Sequence, residues 1–373
     1  MKWSWRVGVF AGIPVYVHAT FLLLMVWIAA SHWVTSRSIN AVVGGLAFTS
    51  AIFGCVVLHE YGHALMARRF GVRTRDITLL PIGGLARVER IPEKPNQELW
   101  IALAGPFVNF AIAAALGIYL LLNGHFEPLS RISVASGDFI ERLLFTNLFL
   151  AGFNLIPAFP MDGGRVLRAI LAARWDYVRA TRTAAGLGQT LAFVFGLWGL
   201  FSNPFLVFIA LFVWIGAAQE AASVEVKSTL NGVTVKDAMI KDFQTISPDA
   251  SLSKAVELIL SGWQQDFPVV SEGRIVGLLT RSDLIAKLAG AGLSTRIEEA
   301  MRQDFPVADP ADPLDSVFSR LQESETRTVP ILRDGQLMGL LTLDNLTEYL
   351  LVQAAIKAAS ANRSHVNQMS FPI

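Results

Sequence analysis

Six long apolar runs constrain this chain more than any other feature of its sequence. They lie at 20–34, 41–58 (continuing to 66), 99–122, 139–156, 186–201 and 204–218. A bilayer core about 30 Å thick needs about 20 residues of helix to cross it. The third and fourth runs meet that length on their own, whereas the first, fifth and sixth lean on flanking residues. So many apolar runs with so few charges argue for membrane helices rather than buried soluble ones. No A-x-A cleavage site follows the first run, so it reads as a retained helix and not as a removed signal.

Composition sharpens this reading. Of 373 residues 53% are hydrophobic and 16% charged, against about 25% charged in an ordinary soluble domain. The average conceals a division near residue 222. Residues 1–222 hold 17 Lys and Arg against 11 Asp and Glu, while residues 223–373 hold 14 against 19. A basic membrane part is followed by an acidic soluble one. The net charge of +1 gives no case for nucleic-acid binding, and a single cysteine excludes a disulfide scaffold or a Cys-rich zinc module.

Lys and Arg in the loops set the expected orientation. The segment 68–96 carries Arg68, Arg69, Arg73, Arg75, Arg87, Arg90 and Lys94. Residues 158–185 carry five further arginines, and the N-terminus adds Lys2 and Arg6. Only Arg37, Arg131 and Arg142 fall on the other side. The expectation is a multi-pass protein of the cell (inner) membrane with both termini and the acidic part cytoplasmic. Two short apolar stretches around Gly83-Gly84, within 76–89, predict a surface hairpin.

The second run ends in His59-Glu60-Tyr61-Gly62-His63, an HExxH pattern. On a helix His59 and His63 project from one face toward a single metal ion, and neutral imidazoles suit zinc. Glu60 stands beside them, positioned to take a proton from a water that the metal activates. Ionisable groups at an apolar helix end need compensation, because each costs about 2.5–3.5 kcal/mol in the membrane. Catalytic zinc usually takes a third protein ligand. Glu98, Glu141 and Asp162 are the candidate acids. Glu141 falls on the far side, and Glu98 lies in a basic loop and reads as surface. Asp162 follows Asn154-Leu-Ile-Pro-Ala-Phe-Pro-Met, where two prolines and two glycines break the helix at the depth of His59. Broken backbone at membrane depth lines cavities, so Asp162 is the preferred third ligand. Asn154 would face the same cavity and hold substrate backbone, or else bond between helices. Asn109 is balanced between a place near the cavity and an interhelical bond. Cys55 reads as a small buried apolar side chain, His18 as interfacial, and His32, His125 and His365 as inert.

HExxH on the second helix with N-x-x-P-x-x-P-M-D-G-G on the fourth resembles the site-2 protease family of intramembrane zinc metalloproteases. Ala104-Gly105-Pro106-Phe107-Val108-Asn109 and Gly12-Ile-Pro-Val-Tyr-Val-His18 are similar to two further family segments. The resemblance covers residues 1–222. It implies one zinc on His59, His63 and Asp162, with Glu60 as general base and acid. Some members insert a PDZ domain between the third and fourth helices, for which residues 123–137 leave no room.

The acidic part repeats itself at an offset of 62 residues. Residues 267–284 align without gaps with 329–346, and 235–239 with 297–301. Each unit reads as strand, amphipathic helix, hairpin and helix. This resembles a tandem CBS pair, over 233–290 and 295–350, with a tail at 351–373. If the family's adenine-nucleotide site is kept, Thr280 lies near a phosphate and Asp283 near ribose hydroxyls. In the second unit Thr342 matches, but Asn345 replaces the aspartate. The other reading of the pair is a dimer interface alone.

The expected fold class is an α-helical polytopic membrane domain of six transmembrane helices with a small surface β-hairpin, followed by an α/β CBS-pair module. The expected function is an intramembrane zinc endopeptidase cutting transmembrane or membrane-proximal segments of membrane proteins. ATP or AMP at the CBS pair would modulate it, and a homodimer could form through that pair. The competing class is a CBS-gated transporter or channel that uses the His/Glu/Asp cluster as a cation path. A catalytically dead scaffold is disfavoured by the intact cluster.

Overall fold

The computed structural model describes residues 3–88, 94–123, 138–324 and 326–369. Glu89, Arg90, His125, Arg131 and the His365 side chain lie outside the described residues. The chain divides into two compact units, Met1–Val224 and Glu225–Ile373.

The first unit opens with two strands, β1 (Ser4–Phe10) and β2 (Ile13–His18). The turn between them holds Ala11 and Gly12 at positive φ, the backbone that matches the twist of a two-residue hairpin. β2 runs directly into α1 (Ala19–Ser36), whose first turn is capped by His18 Nδ1 accepting from Thr20 N. After α2 (Ile39–Arg69) come β3 (Thr74–Leu80) and β4 (Gly83–Val88). The hairpin expected within 76–89 is thus half of a four-stranded sheet, ordered β1-β2-β3-β4, with β2 and β3 parallel. Then follow α3 (Pro95–Leu122), α4 (Phe139–Asn154), α5 (Asp162–Ala172), α6 (Tyr177–Ser202) and α7 (Pro204–Leu230).

Five of these helices, α1, α2, α3, α6 and α7, are long and apolar enough to cross a membrane. The fourth run yields a shorter helix than expected. α4 stops after 16 residues and rises only about 24 Å, because Pro157 and Pro160 lie just beyond it. Large apolar side chains such as Leu23, Trp27, Phe107, Phe193 and Phe208 stand more than half exposed, as a lipid-facing surface requires. α3 is the central element of the unit and packs on α2, α4 and α5.

The second unit contains α8 (Val235–Ala238), α9 (Leu252–Ser261), the β5–β6 hairpin (Phe267–Ser271, Arg274–Leu279) and α10 (Arg281–Ala291). A 3-10 turn (Ile297–Glu299), α11 (Leu314–Glu323), the β7–β8 hairpin (Thr328–Arg333, Gln336–Thr342) and α12 (Leu343–Met369) follow. Both hairpin turns carry positive φ, at Glu272-Gly273 and at Asp334-Gly335. The strand expected at the start of each repeat is reduced to a single bridge, Ile246 to Val269 and Ala308 to Ile331. The repeats exchange their leading segments. Ile240 bridges Leu340 of β8, and Arg302 bridges Leu278 of β6. Val235 and Ala238 accordingly lie in the core of the second repeat, beside Leu314, Val329 and Leu346.

Candidate active site

The buried stripe of α2 includes Cys55, His59, His63 and Ala67, a spacing of four that keeps one helix face. It brings His59 Nε2 and His63 Nε2 to 3.0 Å from each other. Asp162 starts α5 and sets its Oδ2 3.1 Å from His63 Nε2 and 3.2 Å from His59 Nε2. All three residues are buried.

The outer nitrogens of the two rings decide what this triangle can hold. His63 Nδ1 lies 2.7 Å from the Ile101 carbonyl, which can only accept, so in the neutral ring Nδ1 carries the proton and Nε2 a lone pair. His59 Nδ1 lies 2.5 Å from Asn109 Oδ1. That amide is oriented by its own donation from Nδ2 to Asn147 Oδ1 at 2.8 Å, and Asn147 Nδ2 donates to the Leu143 carbonyl. With both rings neutral, the form that binds a metal, three acceptors face one another with no hydrogen between them, an arrangement that a cation resolves. Tetrahedral zinc at about 2.0–2.1 Å from each ligand separates ligand atoms by about 3.3 Å, and the observed triangle is close to that. The residues fit zinc, and acceptors on the outer nitrogens are the usual support for metal-binding histidines.

Two glycines make the approach possible. A Cβ on Gly105 would lie 2.6 Å from His59 Nε2 and closer still to His63 Nε2. A Cβ on Gly62 would lie 2.6 Å from the Ala104 carbonyl oxygen, so α2 and α3 touch through backbone at this level. Tyr61, also within the HExxH turn, donates to the Phe10 and Ile13 carbonyls at 3.0 Å and ties α2 to the first hairpin. Glu60 is half-buried and lies against β4, where a Cβ on Gly84 would come 2.6 Å from its Cγ.

Residues 47–141 and 131–198 match Peptidase family M50, and residues 235–290 and 297–352 match the CBS domain. A zinc metalloprotease of Methanocaldococcus jannaschii is 35% identical over 343 residues, covering 92% of this chain and 94% of that protein. A protein of Mycobacterium tuberculosis named as a zinc metalloprotease is 29% identical over 362 residues, covering 90% of each. The structure of the site-2 protease from Methanocaldococcus jannaschii shares 40% identity, covers 59% of this chain and 95% of that one, and gives a TM-score of 0.44. The chain belongs to peptidase family M50. It is an integral membrane zinc metalloprotease of the site-2 protease type, carrying a tandem CBS pair.

Within this M50 unit several expectations change. Glu98 is not a surface group. It is 2% exposed and accepts from Arg168 Nε at 2.7 Å. Arg168 is itself fully buried and donates through Nη1 to Glu220 on α7 at 2.6 Å. Among the described residues none hydrogen-bonds to the Asn154 side chain, which is half-buried at the end of α4. Asn109, not Asn154, is bonded to a ring of the cluster. Sequence reasoning missed Gly105 and Asn147. The signal was present in Ala104–Asn109, where Gly105 and Asn109 stand four apart on one face of an apolar helix.

In the CBS pair a cleft of about 750 Å³ is lined by Thr280 of one repeat and by Thr342 and Asn345 of the other. Ile240, Arg281 and Arg327 also border it. Asp283 does not. Its carboxylate is bonded to Arg302, Nε to Oδ2 at 2.6 Å and Nη2 to Oδ1 at 3.0 Å. Partial burial pushes the Asp283 carboxyl up, but hydrogen bonds from Arg302 and Thr280 outweigh it and hold the group below the usual carboxylate range.

Proposed function

We propose that this chain is an intramembrane endopeptidase in which His59, His63 and Asp162 hold one zinc ion and Glu60 moves the proton. The carrying observation is the triangle of His59 Nε2, His63 Nε2 and Asp162 Oδ2, within 3.2 Å of one another, with the outer ring nitrogens facing the Ile101 carbonyl and Asn109 Oδ1. Zinc, when bound, supplies a Lewis acid that activates water and polarises the scissile carbonyl. Glu60 accepts the proton of the attacking water and delivers it to the departing amine. β4 is one of the two outer strands of the sheet and passes beside Glu60 at Gly84. An unwound substrate segment pairing with β4 would be led along the catalytic carboxylate by main-chain hydrogen bonds.

The substrates in this reading are transmembrane or membrane-proximal segments of other membrane proteins, cut near the cytosolic side. The excess of Lys and Arg in 68–96 and 158–185 supports a cytoplasmic location for the termini and the CBS pair. The cleft between the repeats, whose walls carry Arg281, Arg327 and threonine hydroxyls as well as Asp266, Asp344 and Glu348, has the size and polar lining for a nucleotide and supports modulation by ATP or AMP over a role as interface alone. The test is a comparison of membrane-protein fragments in cells carrying the wild type or Glu60→Gln. Fragments that vanish in the variant, with zinc content unchanged, support the reading. Fragments that persist remove Glu60 as the proton carrier.

A further inference from the structure

We infer that the CBS pair takes one nucleoside phosphate per chain, at Asn345, and that the matching position at Asp283 is closed by Arg302 of the same chain. This rests on the nucleotide-modulated reading above and specifies which half of the pair carries it.

The repeat supplies the comparison. At the offset of 62, Thr280 corresponds to Thr342, Asp283 to Asn345 and Ile240 to Arg302. The backbones are equivalent as well. Arg302 bridges Leu278 as Ile240 bridges Leu340. Asp283 N donates to Thr280 Oγ1 at 3.1 Å, and Asn345 N donates to Thr342 Oγ1 at 3.1 Å. Two positions of the same geometry therefore carry different chemistry.

At the first, the acid that would bind ribose hydroxyls is already occupied. Arg302 engages both carboxylate oxygens of Asp283, and Thr280 Oγ1 donates to Oδ2 at 2.5 Å. A ligand hydroxyl would have to displace a bidentate, charge-assisted pair. Neither Asp283 nor Arg302 borders the cleft.

At the second, Ile240 stands where the arginine would be and cannot bond. Asn345 Oδ1 is buried and accepts no hydrogen bond from the protein, yet Asn345 and Ile240 both border the cleft. A buried unpaired acceptor beside a cavity calls for a donor from a ligand. Arg281 and Arg327 supply cations for phosphate beside the carboxylates of Asp266, Asp344 and Glu348, Thr342 supplies a hydroxyl, and Ile240 supplies an apolar wall. The volume suits a nucleotide-sized ligand. The aspartate-to-asparagine change, which in sequence weakens the second repeat, is thus coupled to the isoleucine that leaves this position open.

Full-length protein in detergent is titrated with ATP and with AMP, reading stoichiometry by calorimetry and equilibrium dialysis. The expected result is one nucleotide per chain. Asn345→Leu weakens binding at least tenfold, and Asp283→Asn leaves it within threefold. Arg302→Ile, which copies the open repeat, adds a second class of sites. Arg302→Gln repeats that test in case the isoleucine variant melts early. Two nucleotides per wild-type chain, or equal losses for the Asp283 and Asn345 variants, overturn the inference. A single site persisting in folded Arg302 variants overturns the role given to that arginine. No binding of either nucleotide removes the nucleotide-modulated reading itself, and this inference falls with it.

Discussion

Replacing Gly105 by alanine tests the metal centre through one carbon atom. The added Cβ would stand 2.6 Å from His59 Nε2, where ordinary contact begins at 3.4 Å, and still closer to His63 Nε2. Relief requires α3 or both rings to move by about 1 Å, whereas zinc ligand distances tolerate about 0.2 Å. Two energies compete. Alanine gains about 0.5–1 kcal/mol over glycine within a helix, and overpacking costs about 1–3 kcal/mol. The steric term wins locally, and its direction is out of the coordination triangle. Changes in the support of a metal ligand already cost about 10–100-fold in affinity, so displacement of two ligands should cost at least about 100-fold, near 2.7 kcal/mol. Zinc content by mass spectrometry and affinity by competition with a chelator measure this. Gly117→Ala on the same helix is the control, because its Cβ would meet only Leu144 Cδ1 at 3.5 Å, and zinc binding should stay as in the wild type. A Gly105→Ala protein that holds one zinc with unchanged affinity would refute the assignment of the triangle as the zinc site.

Three other perturbations follow from the same geometry. Asn109→Leu removes the acceptor that fixes the His59 ring, so zinc affinity should fall about 10–100-fold, measured with the same chelator, while Asn154→Leu should leave it unchanged. Arg168→Met leaves Glu98 and Glu220 without their shared cation, which should cost about 3–5 kcal/mol of stability, read as a lower melting temperature that Glu98→Gln with Glu220→Gln partly restores. The lowered carboxyl of Asp283 contributes stability that is complete above the unfolded-state pKa and is lost as pH falls through the lower folded value; Arg302→Ile should therefore weaken the acid dependence of melting, and an unchanged profile would count against that pair.

The parts legible in the sequence are those where chemistry dictates both residue type and spacing. His59 and His63 had to share a helix face, and an aspartate beside broken backbone was the economical third partner, so all three could be named before their distances were known. The hairpin after α2 was legible for a similar local reason, as turn glycines between apolar stretches. Strands β1 and β2 were not. Their place depends on Val15 pairing with Ile77, some sixty residues away, and Trp3, Trp5 and Phe10 stay largely exposed, so no buried alternation marks the first of them. Glu98 was misread because its loop is rich in arginine, and proximity in sequence hid that Arg168, from another helix, is its partner. In the CBS pair the offset of 62 revealed the repeat but not the exchange of leading segments. That exchange alone brings Arg302 to Asp283, and no local pattern within either repeat contains it.

The organising element of the membrane unit is one that its sequence presents as plain apolar helix. Along α3, Glu98 receives Arg168 of α5, the Ile101 carbonyl receives His63, Gly105 leaves room at the ligand atoms, and Asn109 receives His59. These positions are separated by three, four and four residues, so at 100° per residue they fall within about 80° of one another on a single stripe. The same stripe thus supports both histidines of α2 from behind and holds α5, the helix that begins with Asp162. Two elements from distant parts of the chain are registered against one rigid helix rather than against each other. This also explains why Glu98 and Asn109 of α3 are buried while Phe107, Ile118 and Leu121 stay outside. In a membrane, where each buried polar group must find a partner within the protein, the partners available on α3 are those that His59, His63 and Arg168 require.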